Sequence, residues 1–205
     1  MRRLILISLA AIAPAMAFAA DTDLGQLGIG GNEVLRGNFI EQRHLKGFNG
    51  PMISEGYFVV APTHGLIWGL EKPFPTTTVI TPAGLAQFVN GANVMHLPAQ
   101  KMPFMLHLYE TLGGVLTGNW SALETDFIVK RSGGAQGWQI TLQPRHADNP
   151  AMPFSSISIG GHRFVEQVLM QKADGDSDTL TFSNASVSAS PPTAEENQVF
   201  ASVPP

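Results

Sequence analysis

From Gly37 to Leu70 the chain reads GNFIEQRHLKGFNGPMISEGYFVVAPTHGLIWGL, and this stretch limits the fold more than any other. Two β-prone runs stand in it, Met52–Val60 with its Tyr57-Phe58-Val59-Val60 end, and Leu66-Ile67-Trp68. Clusters of turn-forming residues bound them: Gly47, Asn49, Gly50 and Pro51 on one side, Ala61-Pro62-Thr63-His64-Gly65 between them. Gly and Asn accept positive φ and Pro presets φ, so such clusters reverse the chain. Runs this short, bounded this way, are consecutive antiparallel strands.

The pattern continues beyond Leu70. Pro73 and Pro75 end the Trp68 strand, and Thr76–Thr81 is rich in β-branched residues, which favour strands. Pro82-Ala83-Gly84 turns into Leu85–Val89, and Asn90-Gly91 is a hairpin turn leading into Asn93–Leu97. Further strands are expected at Thr125–Lys130, Gly137–Leu142, Ser156–Ile159, Phe164–Met170 and Thr179–Ser183. No crossover helices intervene, so a parallel α/β fold is excluded and a mainly β, antiparallel curved sheet is expected. Ahead of it, Gly25, Gly28, Gly30 and Gly31 allow a short, poor helix around Asn32–Leu35 at best.

One stretch breaks the strand rhythm. From Pro103 to Leu116, Phe104, Met105, Leu106, Leu108, Tyr109 and Leu112 leave only His107, Glu110 and Thr111 as a polar stripe. Pro suits a first helical turn, and Gly113-Gly114 suits a helix end. A helix so apolar around its circumference reads as a lid or plug over the sheet, with Met side chains able to repack around varied ligands.

The ends read differently. Met1-Arg2-Arg3, the apolar run Leu4–Ile12 and Ala17-Phe18-Ala19 make a secretory signal peptide over residues 1–19, cut before Ala20. One domain is expected over residues 20–187. From Ser188 to the end, Ala, Ser, Pro and Glu read as a flexible tail, in which Val199-Phe200 can tuck back.

Composition narrows function. Of 205 residues 44% are hydrophobic and only 14% charged, more apolar surface than a small sheet hides unaided. The formal charge is −4 and the basic residues are scattered, so nucleic acid is not an expected partner. With no Cys, thiol chemistry and thiolate metal sites are excluded. There is no Gly-x-Ser-x-Gly elbow and no His-Glu-x-x-His. His146 and Asp148 sit in a Pro-rich loop. Asp174-Gly175-Asp176-Ser177-Asp178 starts like a calcium loop, but Thr179 stands where that loop needs Gly and Ala185 where it needs Glu, so it reads as a charged hairpin turn. No metal, no cofactor and no catalysis are expected.

Taken in order, Phe39-Ile40-Glu41-Gln42, Ser54-Glu55-Gly56-Tyr57-Phe58, Pro62, Gly65-Leu66-Ile67-Trp68, Pro73, Pro82-Ala83-Gly84-Leu85 and Pro103-Phe104-Met105-Leu106 resemble the periplasmic outer-membrane lipoprotein carrier (LolA) family. The resemblance implies an eleven-stranded open half-barrel with short lid helices. It implies a monomer in the periplasm that takes acyl chains of lipoprotein or other lipid-like cargo from an inner-membrane releasing complex to an outer-membrane acceptor. The chain departs from the family at Ala61-Pro62-Thr63, where the carrier proper has an Arg that ties the lid closed. Relatives of this kind also accompany lipid- and polyene-export systems, which leaves a non-carrier interaction module as the alternative. The residues expected to form the cavity and lid are Phe39, Tyr57, Phe58, Trp68, Phe88, Phe104, Met105 and Leu108.

Overall fold

The computed structural model describes residues 29–101, 124–134, 137–146 and 154–204. The strands are β1 (Val34–His44), β2 (Met52–Ala61), β3 (Gly65–Lys72), β4 (Thr76–Thr81), β5 (Gly84–Val89), β6 (Ala92–Pro98), β7 (Phe127–Gly134), β8 (Gly137–Pro144), β9 (Phe154–Gly161), β10 (Val165–Lys172) and β11 (Ser177–Ser188). They make one eleven-stranded sheet in the order β6-β5-β4-β3-β2-β1-β11-β10-β9-β8-β7. Two meanders therefore meet along a long antiparallel seam, in which β1 pairs with β11 from Val34↔Ser188 to His44↔Ser177. The result is an open half-barrel with β6 and β7 at its two ends among the described residues.

The expected turns are present. Asn90 and Gly91 both have positive φ, 50° and 78°, as a two-residue hairpin turn between right-twisted strands requires. The Asp174 turn joins β10 to β11 and is spent on protein contacts: Asp174 Oδ1 accepts the Asp176 amide, and Asp176 Oδ1 accepts the Lys46 amide at 2.8 Å.

Two expectations are corrected. There is no helix around Asn32–Leu35, because Val34 and Leu35 open β1. Leu35 pairs with Val60 on one side and Val187 on the other, and this two-sided pairing outweighs any local helical preference. Nor is the end of the chain a loose tail. Ala194–Ala201 forms a helix, here α1. Thr193 caps it in a capping box with Glu196, whose carboxylate also takes a two-pronged hydrogen bond from Arg36 of β1, both prongs at 2.7 Å. Phe200 and Val203 are buried against Val34, Val59, Ala61, Ile67, Val79 and Ala86. The hydrophobic burial of two side chains, not helix propensity, fixes so short a segment.

The predicted helix from Pro103 to Leu116 and the signal peptide lie outside the described residues. Among the described residues no helix is long and apolar enough to cross a membrane.

Candidate ligand-binding face

Side chains of a strand point alternately to the two faces of a sheet, so the pairing register sorts every residue. Phe58↔Trp68 and Val60↔Leu66 pair β2 with β3, and Phe39↔Phe182 and Glu41↔Leu180 pair β1 with β11. Across β10, β9 and β8 the same face continues as Val168↔Ile159, Met170↔Ile157, Ile140↔Ile159 and Leu142↔Ile157. It is apolar from one half of the sheet to the other. We call it the aromatic face. The opposite, helix face carries α1 over β3 and β4, and from β11 onward it is mostly polar, with Lys130, Gln139, Thr141, Ser158, Gln167 and Thr181 beside Leu169 and Ile128.

Four rings from four strands gather on the aromatic face. Phe39 stacks on Trp68 with centroids 3.7 Å apart, and Phe182 meets Phe58 and Trp68 edge-on at 5.4 and 6.2 Å. The edge-on contacts suit the charge distribution of aromatic rings and add to simple burial. Val60, Leu66, Leu70, Phe164, Leu180 and Val187 surround this group, and Ile29 packs on it from the run before β1. A second apolar group, Phe127, Trp138, Ile140 and Leu142, lies at the β7–β9 end of the sheet.

The aromatic face becomes charged at one end. Two residues beyond Phe39 and Leu180, Glu41, Arg43 and Asp178 follow on the same face. Arg43 donates to Asp178 and to Glu41, both at 2.8 Å, and Lys172 reaches Asp178 at 3.0 Å. Burial pushes the Asp178 carboxyl up, but the Lys172 and Arg43 hydrogen bonds outweigh it and hold its pKa below the ordinary value. The cluster is balanced, two cations against two carboxylates, and marks the polar rim of the apolar surface.

The structure brings together three of the expected residues, Phe39, Phe58 and Trp68. Tyr57 and Phe88 are corrected: both lie on the helix face, among Val59, Val79, Ala86 and Val199. Adjacent residues of one strand point to opposite faces, so the Tyr57 side chain leaves the face that carries Phe58. Phe104, Met105 and Leu108 lie outside the described residues. Phe182 and Leu180 lie on the same face and are absent from the expected set, although the alternation Thr179-Leu180-Thr181-Phe182 signals an inward-facing pair. Among the described residues there is no cluster of His, Asp and Glu able to hold a metal ion.

A family model described as outer membrane lipoprotein carrier protein LolA-like matches residues 12–190. The chain belongs to that family. None of the curated proteins matches the sequence. Among solved structures, the LolA-like chain is similar to the LolA superfamily protein NE2245 of Nitrosomonas europaea, at 7% identity over 84% of this chain and 93% of that one, with a TM-score of 0.44. It is similar to a chain of the Pseudomonas aeruginosa MucA/MucB complex, at 11% identity over 85% of this chain and 57% of that one, with a TM-score of 0.45. LprF of Mycobacterium bovis is similar at 12% identity over 80% and 89% of the two chains, with a TM-score of 0.35.

Proposed function

We propose that this LolA-like chain is a non-catalytic periplasmic carrier that holds acyl chains, of lipoproteins or of other lipid-like cargo, against its aromatic face on the way to the outer membrane. The observation that carries this reading is the continuity of the apolar face, from Leu85, which pairs through Ile80 to Leu66, across the four rings to Ile140 and Leu142. Chains laid on such a surface leave water at a gain of about 25 cal/mol per Å² of apolar area buried. The reaction is passive: no bond is made or broken, and release falls to a partner that competes for the cargo. An inner-membrane releasing complex and an outer-membrane acceptor are the partners that family membership suggests. The Arg43–Asp178–Lys172 rim stops the apolar surface and leaves a polar end for the cargo's head.

The test is displacement of a fluorescent fatty acid from the mature chain. Binding that quenches Trp68 and weakens on Phe182→Asp supports the reading, and binding indifferent to Phe182→Asp overturns it. Leu108→Asp tests the proposed lid in the same assay and is expected to weaken binding.

A second reading, a scaffold that docks on an export complex without cargo, draws on the burial of Phe39 and Phe58, only 1% and 6% exposed. Part of the face is filled by its own rings. Native mass spectrometry of protein from its own host separates the two: co-purified lipid supports the carrier, a lipid-free mass the scaffold.

A further inference from the structure

We propose that a cavity on the helix face, beside α1 and separated by the sheet from the aromatic face, binds a small organic cation with an apolar body, such as an aryl- or alkylammonium. The cavity has a volume of about 650 Å³. That lies within the range of small-molecule sites, about 300–1,000 Å³.

Its walls follow from one cross-strand row. Tyr57 pairs with Gly69, Gly69 with Thr77, and Thr77 with Phe88, so the four residues lie side by side on β2, β3, β4 and β5. Strands spaced about 4.8 Å apart put the two aromatic Cα atoms roughly 14 Å from each other. The floor between them is a glycine and a threonine. A Cβ at Gly69 would run into the Tyr57 ring, so the ring lies down over the glycine. Val199 of α1 lines the slot on the helix side, and Glu71 and Glu195 line it too.

Charge selects the ligand. No Lys, Arg or His is among the described residues that line the cavity. Neither Glu71 nor Glu195 has an ion pair among the described residues, and the neighbouring Lys72 is held by Glu55 at 2.8 Å. An anion would meet two carboxylates. A cation meets them together with two aromatic rings, whose faces attract positive charge. The cargo reading uses none of these residues.

The test uses the full mature chain, titrated with benzyltrimethylammonium and, for comparison, neutral benzyl alcohol, followed by amide NMR shifts and calorimetry. The cation is expected to shift the amides of Gly69, Thr77, Asn90 and Ser202 and to bind at least about fivefold more tightly than the alcohol. Replacing both carboxylates, Glu71→Gln with Glu195→Gln, is expected to remove most of that preference, and these exposed positions leave folding intact. Phe88→Ala is expected to weaken both ligands. A cation that binds no more tightly than the alcohol, shifts confined to the surroundings of Phe39 and Phe182, or a preference that survives in the double variant overturns the proposal. The reporting amides belong to the cavity beside α1, so failure here is distinct from failure of acyl binding.

Discussion

Phe39 and Trp68 stand on strands that do not pair with each other, yet their rings stack 3.7 Å apart across the strand between them. That strand is β2, and the residue it places opposite Phe39 is Gly56. Gly56 is required by the backbone, because a Cβ on it would collide with the Gly69 carbonyl where the β2–β3 register shifts. The stack is the centre of the aromatic face.

Removing the stack is expected to cost stability. Phe39 is almost fully buried, and large-to-small changes of such a ring cost about 3–5 kcal/mol. Phe39→Ala should lower the urea midpoint by a corresponding amount and move Trp68 emission to longer wavelength. An unchanged spectrum contradicts the stack.

The two faces can be separated by neighbouring residues. Phe58→Ala is expected to weaken acyl-probe binding, whereas Tyr57→Ala, one residue away, should leave it nearly unchanged. Equal effects from the two substitutions contradict the face assignment.

The charged rim makes stability depend on acid. Asp178 and Glu196 have folded-state pKa values below their ordinary ones, Asp178 because hydrogen bonds from Lys172 and Arg43 outweigh its burial, Glu196 chiefly through the Arg36 hydrogen bond. In the unfolded chain both carboxyls bind a proton more readily, so their contribution is complete above the ordinary carboxylate pKa, about 4. It is lost as pH falls through the lower folded-state values. The urea midpoint should therefore be flat near neutrality and fall below about pH 4. Asp178→Asn should cut that slope and cost about 2 kcal/mol at neutral pH, less than for a fully buried pair because Arg43 is partly exposed to water.

The terminal helix is expected to be structural. Arg36→Ala removes both prongs on Glu196, and Thr193→Ala removes the cap, each costing about 1–2 kcal/mol. Hydrogen exchange should speed up in α1 ahead of the sheet in both variants. Protection that stays equal in α1 and β3 contradicts a separately tethered helix.

How much of this is legible in the sequence follows from which interactions are local. Hairpins are local, so Asn90-Gly91, the Pro82 turn and the Thr76–Thr81 strand could be read directly from neighbouring residues. In β8, β9 and β11 alternation also assigns faces, because one face is apolar and the other polar. In β2, β3 and β5 it does not: α1 covers the second face, so Tyr57-Phe58-Val59-Val60 is apolar on both sides and carries no alternation to read. The contact that decides those faces comes from Phe200 and Val203, more than a hundred residues along the chain.

The sequence by itself determined the strands, their turns and the supply of apolar rings, because each depends on residues a few positions apart. The tertiary structure alone decided the β1–β11 seam, the side on which Tyr57 and Phe88 lie, and the meeting of Phe39 with Trp68. Each of these rests on pairing or burial between residues distant in the chain, and no local pattern encodes which distant partner arrives.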